Sequence, residues 1–255
     1  AHDASVPLIV DNTMATPILC RPIEHGADIV VHSTTKFLNG HGNAIGGVIV
    51  DAGSFDWAKG GKYPTLSEPN ASYHGLKFTE AFGNLAFILA ARTLGLRDLG
   101  PALAPMNAFL ALTGMETLAL RMQRHVDNAK VVAEWLSQHP AVSWVSYASL
   151  PGDRHHNLAR KYTPKGAGAV FTFGLKGGYE AGVSLVSNVK LFSHLANIGD
   201  TRSLIIHPAS TTHSQLTDEQ KTMAGAGPDV VRLSIGIEDK EDLIADLEQA
   251  LNIPY

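Results

Sequence analysis

A mainly parallel, doubly wound α/β sheet followed by a smaller α+β module is the fold this sequence predicts. Three observations predict it. Short apolar, β-branched runs, "PLIV", "ADIVVHS" and "GGVIVDAG", alternate with helical or glycine-rich connections in the first part. A long stretch of helical period follows, from Pro105 to Ser137. After it come three further strand-like runs with helical segments between and behind them.

Composition is consistent with such a core. The chain has 255 residues, 45% of them hydrophobic, enough for one large domain or two smaller ones. Its net charge of -4 is spread along the sequence, with no basic stripe for nucleic acid and no cationic helix for a membrane surface. A single cysteine, Cys20, cannot form an internal disulfide, so a reducing compartment and a cytoplasmic location are expected. No apolar run of membrane-spanning length and no signal peptide is present, which agrees.

The elements follow in order. The chain starts without a methionine and enters "VPLIV", a strand of the kind buried on both faces of a parallel sheet. Its neighbours either come later or belong to a first part that this chain lacks. Asp11, Asn12 and Thr13 form the loop behind it, and "RPIEHG" reads as a short helix closed by Gly26. "ADIVVHS" and "GGVIVDAG" are the next two strands. From Phe55 to Tyr73 the sequence is polar and rich in glycine and proline, which predicts a long surface loop or lid. Thr79 to Ala91 is helical. In the 105–137 helix Phe109, Leu112, Met115, Leu118, Ala119, Met122, Val126, Ala129 and Ala133 recur at three- and four-residue steps, as one buried face requires. A second domain begins near His139, with strands at "VSWVSYASL", "AVFTFGL" and "VRLSIGIE" and helices at "YEAGVSLVSNV" and "KEDLIADLEQAL". The intervening "NIGDTRSLIIHPASTTH" reads as a polar loop.

Chemistry concentrates at strand ends, where ligands bind in open α/β sheets. Lys36 stands where "ADIVVHS" breaks into a glycine-rich stretch, and Asp11 just past the end of the first strand. A lysine so placed is a candidate for Schiff-base chemistry, as in pyridoxal phosphate enzymes, where a carboxylate pairs with the pyridinium nitrogen. The bland alternatives are a solvated loop lysine and a turn-capping aspartate. Ser33, Thr34 and Thr35 offer hydroxyls and amides for a phosphate, or else they cap the turn. Arg232 lies inside an apolar strand, where an unpaired guanidinium is expensive to bury. It either forks a substrate carboxylate or pairs internally with a residue such as Glu238 or Asp242. His207 and His213 lack a carboxylate in a ligand pattern, so no metal is expected.

"VDNT", "RPIEHGADIVVHSTTKFLNGHG", "MNAFLALTGMETLALRM", "NIGDTRSLIIHPASTTH" and "VRLSIGIEDKEDLIADLEQAL", in that order, resemble the Cys/Met-metabolism family of pyridoxal-phosphate enzymes over nearly the whole chain. Within the family, "GGKYPTLSEPNASYHGLKFTEAF" is similar to the longer connection of O-acetylhomoserine sulfhydrylases. The resemblance implies an aspartate-aminotransferase-like, fold type I architecture. Residues 1–138 would be the remainder of the cofactor-binding large domain with its linking helix, and 139–255 the small carboxyl-terminal α+β domain. It implies that Lys36 holds pyridoxal 5'-phosphate and shuttles protons, and that Asp11 salt-bridges the pyridinium with Thr13 near the ring. Ser33 and Thr35 would contact the phosphate, while Arg232 clamps the substrate carboxylate with help from Asn197.

The implied reaction converts O-acetyl-L-homoserine and sulfide or methanethiol to homocysteine or methionine and acetate. Cystathionine γ-synthase and the γ-lyases share the apparatus and remain alternatives. The family's earlier segment, with its glycine-containing phosphate loop, stacking aromatic ring and intersubunit tyrosine and arginine, has no counterpart here. The resemblance therefore covers roughly the carboxyl-terminal three-fifths of a full-length member. A catalytically inactive fragment is the third reading, and this chain alone is expected to be inactive. The family implies a homo-oligomer, a tetramer built as a dimer of dimers.

Overall fold

The computed structural model describes residues 1–254. In chain order the elements are β1 (Ile9–Asp11), α1 (Thr16–Leu19), β2 (Ile29–Ser33), β3 (Gly47–Asp51), α2 (Pro64–Ser67), α3 (Phe78–Phe82), α4 (Ala86–Ala90), α5 (Pro105–Met115) and α6 (Leu118–Gln138). There follow β4 (Val142–Ser146), α7 (His156–Tyr162), β5 (Val170–Leu175), α8 (Gly178–Asn188), β6 (Ser193–His194), β7 (Leu204–Ile206), α9 (Asp218–Met223), β8 (Val230–Ser234) and α10 (Lys240–Leu251). They fall into two compact units. One comprises Ala1–Asn12, Arg21–Ser33 and Gly46–Phe109, the other Thr13–Cys20, Thr34–Ile45 and the chain from Leu110 onward.

The first unit holds a three-stranded sheet in the order β1-β2-β3. β1 and β2 run parallel, as expected, but β3 is antiparallel to β2 with Val30 opposite Val50. Apolar runs encode burial and not direction, so this departure was invisible in the sequence. Gly26, at φ 92°, closes the short helical turn Pro22–His25 and redirects the chain into β2, a conformation glycine adopts without a Cβ penalty. Only β2 is well covered: Ile29 and Val30 are buried, whereas Leu8, Ile9, Val48, Ile49 and Val50 are exposed. The stretch expected to be a long surface loop or lid is mostly exposed but adds two residues to the core, because Trp57 and Leu66 are buried with Ile29, Phe78, Ala86 and Ala90. The Trp57 ring stacks on Phe87 at 5.0 Å. The helix expected over 79–91 is broken at Gly83, whose φ of 52° separates α3 from α4.

The second unit contains a five-stranded sheet in the order β4-β5-β8-β7-β6. Its pairs are antiparallel except β6 with β7, and α6, α8 and α10 share one core with it. This is the expected α+β module, with β7 found inside the segment read as a polar loop. α6 runs 21 residues and buries Leu118, Met122, Val126, Ala129, Val132, Ala133 and Leu136. Each fully buried large side chain here contributes on the order of 2 kcal/mol. The residue behind α6, His139, is extended because Pro140 follows it. Asp239 caps α10 by accepting the Glu241 amide at 3.0 Å. Three residues assigned to the buried helical face are exposed instead: Phe109 is 63% and Leu112 62% accessible, and Ala119 is exposed too, while Met106 on the helix of Phe109 is 65% accessible.

Candidate active site

β2 brings the chain to Ser33, and Thr34–Leu38 then winds into a wide turn in the second unit. The Asn39 amide donates five residues back to the Thr34 carbonyl at 3.1 Å, and the Gly40 amide to the Lys36 carbonyl at 2.8 Å. Lys36 itself leaves helical geometry, with φ -94° and ψ -134°. Phe37 and Leu38 are buried in the core shared with α6, which anchors the turn while Lys36 stays half-exposed.

The Lys36 ammonium donates to the side-chain oxygen of Asn197. From the centre of β8, the half-buried Arg232 donates Nη2–H to the main-chain oxygen of the same Asn197 at 3.3 Å. Burial lowers the Arg232 pKa. The internal ion pair considered for Arg232 is absent among the described residues. Glu238 turns elsewhere, accepting the Ser203 amide at 2.6 Å and the Ser203 hydroxyl at 2.9 Å. Neither Lys36 nor Arg232 faces a carboxylate among the described residues, so two cations converge on one uncharged asparagine. That is an arrangement a carboxylate-bearing ligand completes.

Three glycines let the loops approach this point. A Cβ on Gly199, at φ 74°, would lie 2.6 Å from the Phe37 nitrogen. One on Gly42 would meet a carboxylate oxygen of Asp200 at 2.7 Å, and one on Gly40 the Arg121 guanidinium at 2.4 Å. Buried Asp200 accepts the Arg202 amide at 3.0 Å and its Nη2 at 3.1 Å. Burial by itself would raise the Asp200 pKa, but the bonds from Arg202 outweigh it and hold the carboxyl below its ordinary range. The Thr201 amide bonds the Gly40 carbonyl at 2.8 Å, tying this loop to the Lys36 turn.

Of the residues singled out in sequence, Lys36, Asn197 and Arg232 are thus brought together within the second unit. Thr13, buried, and Thr35, half-buried, also belong to that unit. Asp11 and Ser33 belong to the first, at the carboxyl ends of the paired strands β1 and β2. Beside Asp11, His32 is buried with Nδ1 unpartnered, and burial lowers its pKa against the opposing charge of Asp11. Sequence reasoning missed Arg121, His125 and Asn128, which lie on the buried face of α6. Their spacing of four and three residues was the available signal, since polar residues in register with a core stripe must bond something.

A family described as Cys/Met metabolism PLP-dependent enzyme matches residues 1–252. The chain is 56% identical over 252 residues to O-acetyl-L-homoserine sulfhydrylase 1 of Thermus thermophilus, covering 98% of this chain and 60% of that protein. Homocysteine synthase of Schizosaccharomyces pombe is 53% identical over 255 residues, with 99% of this chain and 59% of that protein covered. A crystal structure assigned as an O-acetylhomoserine (thiol)-lyase of Campylobacter jejuni, which carries a pyridoxyl-lysine monophosphate residue, superimposes with a TM-score of 0.93 at 43% identity. It covers 99% of this chain, which covers 60% of it. The chain spans about three-fifths of the length of the curated relatives it matches.

Proposed function

This chain belongs to the Cys/Met metabolism family of PLP-dependent enzymes, and from that membership we propose that Lys36 is its cofactor lysine and that the whole protein converts O-acetyl-L-homoserine and sulfide to L-homocysteine and acetate. The observation that carries the proposal is the convergence of Lys36 and Arg232 on Asn197 without a carboxylate for either among the described residues.

The chemistry of the donor set fits pyridoxal phosphate. By the roles the family implies, Lys36 would offer an amine for its aldehyde, Asp11 a carboxylate for its ring nitrogen, Ser33 and Thr35 hydroxyls for its phosphate, and Thr13 a contact to its ring. Bound there, the cofactor supplies an electron sink for charge released at the substrate's α-carbon. The Lys36 amine would take and return protons at the substrate's α- and β-carbons. Its bond to Asn197 holds the amine on the Arg232 side of the site. Arg232 grips the substrate carboxylate in its planar fork and fixes which carbon faces the lysine. In the net replacement the γ-carbon loses its bond to the acetate oxygen and gains one to sulfur, and hydrogen sulfide gives up one proton to solvent as acetate leaves.

Methanethiol as acceptor, giving methionine, is part of the same proposal. Cystathionine γ-synthase or γ-lyase activity is the second reading, since it uses the same apparatus. The activity proposed is that of the whole protein, because the chain spans three-fifths of its relatives. This chain by itself is expected to turn over no substrate. We further propose a cytoplasmic homo-oligomer, a tetramer made of two dimers. The apolar face of α5, with Met106, Phe109 and Leu112 exposed, supports assembly. No helix among the described residues is long and apolar enough to cross a membrane.

Borohydride reduction in the presence of pyridoxal phosphate, followed by peptide mass spectrometry, tests the site. A pyridoxyl adduct on Lys36 is expected, and labelling confined to other lysines refutes the assignment. Sulfide consumption with O-acetylhomoserine by the whole protein tests the reaction, and release of an α-keto acid and ammonia in its place favours the lyase.

A further inference from the structure

We infer that Arg121 is the positioning residue of the Lys36 turn, setting the backbone from which the lysine projects without touching the reacting groups. The inference rests on the reading of Lys36 as the cofactor lysine, and concerns how that lysine is held.

Arg121 is 5% exposed in the first turn of α6, and burial lowers its pKa. A guanidinium stays charged under such conditions, so its donors need partners. It finds no carboxylate among the described residues. Nη1–H donates to the Phe37 carbonyl at 2.9 Å, and Nη2–H to the carbonyls of Leu38 at 3.2 Å and Gly114 at 2.7 Å. Nε–H donates to the Thr117 hydroxyl at 3.2 Å. Two of the three carbonyls belong to the residues directly after Lys36, in the stretch where the turn leaves helical geometry. A peptide plane whose oxygen is fixed has little freedom left, so Arg121 fixes the planes that follow Phe37 and Leu38, while the Gly40 amide holds the Lys36 carbonyl itself at 2.8 Å, and together they pin the backbone on which the lysine stands.

The surrounding shape is built for this contact. A Cβ at Gly40 would sit 2.4 Å from Arg121 Nη1, and one at Gly114 would sit 2.1 Å from the Asn39 carbonyl oxygen. Both positions must lack a side chain for the fork to reach the backbone. Thr117, directly before α6, donates to the Gly114 carbonyl at 3.3 Å while accepting from Arg121. A lysine at position 121 carries its donors on one nitrogen and cannot span three carbonyls from the same place. None of the hydrogen bonds of Arg121 goes to Lys36 Nζ, Asn197 or Arg232, so any effect on the lysine passes through the main chain.

Amide hydrogen exchange of the whole chain tests this without the cofactor. In Arg121→Lys, peptides spanning residues 37–41 should exchange about tenfold faster, while peptides from β5 and β8 keep the unsubstituted rate. Thr117→Val should move the same peptides in the same direction by about threefold, and Thr117→Ser, which keeps the hydroxyl, should not. The rate at which pyridoxal phosphate and borohydride label Lys36 should fall in the same order. Unchanged exchange at 37–41, equal acceleration throughout the second unit, or identical behaviour of the two Thr117 variants overturns the inference. If Arg121→Lys does not fold, the Thr117 pair decides alone. Absence of label on Lys36 in the unsubstituted protein refutes the cofactor reading, while the exchange data still decide the role of Arg121.

Discussion

Lowering the pH from 7 toward 4 should destabilise the second unit through His125, and the size of the effect follows from its surroundings. His125 is 0% exposed on α6. Its Nδ1–H donates to the Ile235 carbonyl at 2.6 Å, and its ring meets Phe37 edge-on at 5.2 Å. Burial pushes its pKa from 6.5 down to about 4, the Ile235 carbonyl opposes that, and among nearby charges Arg121 pushes down while Asp200 pushes up. The folded ring therefore stays neutral at pH values where the unfolded chain has already bound a proton. The stability this difference affects is fully present above the unfolded pKa of 6.5 and is lost as pH falls toward the folded value of about 4. At about 1.4 kcal/mol per tenfold difference in proton affinity, the loss amounts to about 3 kcal/mol. Urea unfolding of the unsubstituted protein and of His125→Asn at several pH values between 7.5 and 4 measures it. His207 and His32, whose pKa values burial also lowers, titrate in both proteins and cancel in the difference. The substituted protein should start less stable and lose about 3 kcal/mol less on acidification. Parallel pH profiles for the two proteins would refute the reasoning.

Two further predictions concern single positions. Gly199→Ala forces a side chain into left-handed backbone, at about 1–2 kcal/mol, and against the Phe37 amide, at about 1–3 kcal/mol more. A fall in thermal midpoint together with slower labelling of Lys36 is expected, and a stable protein with unchanged labelling contradicts the contact described. Asp246, 7% exposed on α10, accepts the amides of Lys190 at 2.7 Å, Leu191 at 2.8 Å and Phe192 at 3.0 Å. Asp246→Ala strands those donors at a cost of about 3 kcal/mol, a drop of roughly 8 °C in the melting temperature by calorimetry, and a shift under 2 °C would count against it.

What the sequence could reveal depended on whether a residue's partner was a side-chain pattern or a backbone atom. β2, β5, β8, α6 and α10 declare themselves through apolar period, and Lys36 and Arg232 through charge at the end or centre of a strand. β7 was hidden because only Leu204, Ile205 and Ile206 are apolar in it, between buried Ser203 and His207. Phe109 and Leu112 have the right spacing for burial yet are exposed, since period shows which residues share a face and not what covers it. Arg121 read as one more helix charge because its partners are carbonyls, which every residue carries. The ending of the Arg232 question was equally hidden, as nothing in the sequence says that Glu238 prefers the amide and hydroxyl of Ser203.

The open sheet of the first unit has a consequence for how this chain behaves in solution. Successive residues of β3 point to opposite faces, so exposure of Val48, Ile49 and Val50, at 40%, 47% and 41%, leaves both faces of an outer strand wet. Such an edge is a template for pairing with another copy, and its length sets how well a copy can grip. Here the grip is short. β3 spans five residues, flanked by Gly46 and ended by Asp51, and β1 spans three, behind Pro7 and ended by Asp11. Glycine, proline and aspartate at these boundaries act as gatekeepers against cross-strand aggregation. Replacing Gly46 or Asp51 with a β-branched residue would lengthen the adhesive run, so these two positions guard solubility as much as fold.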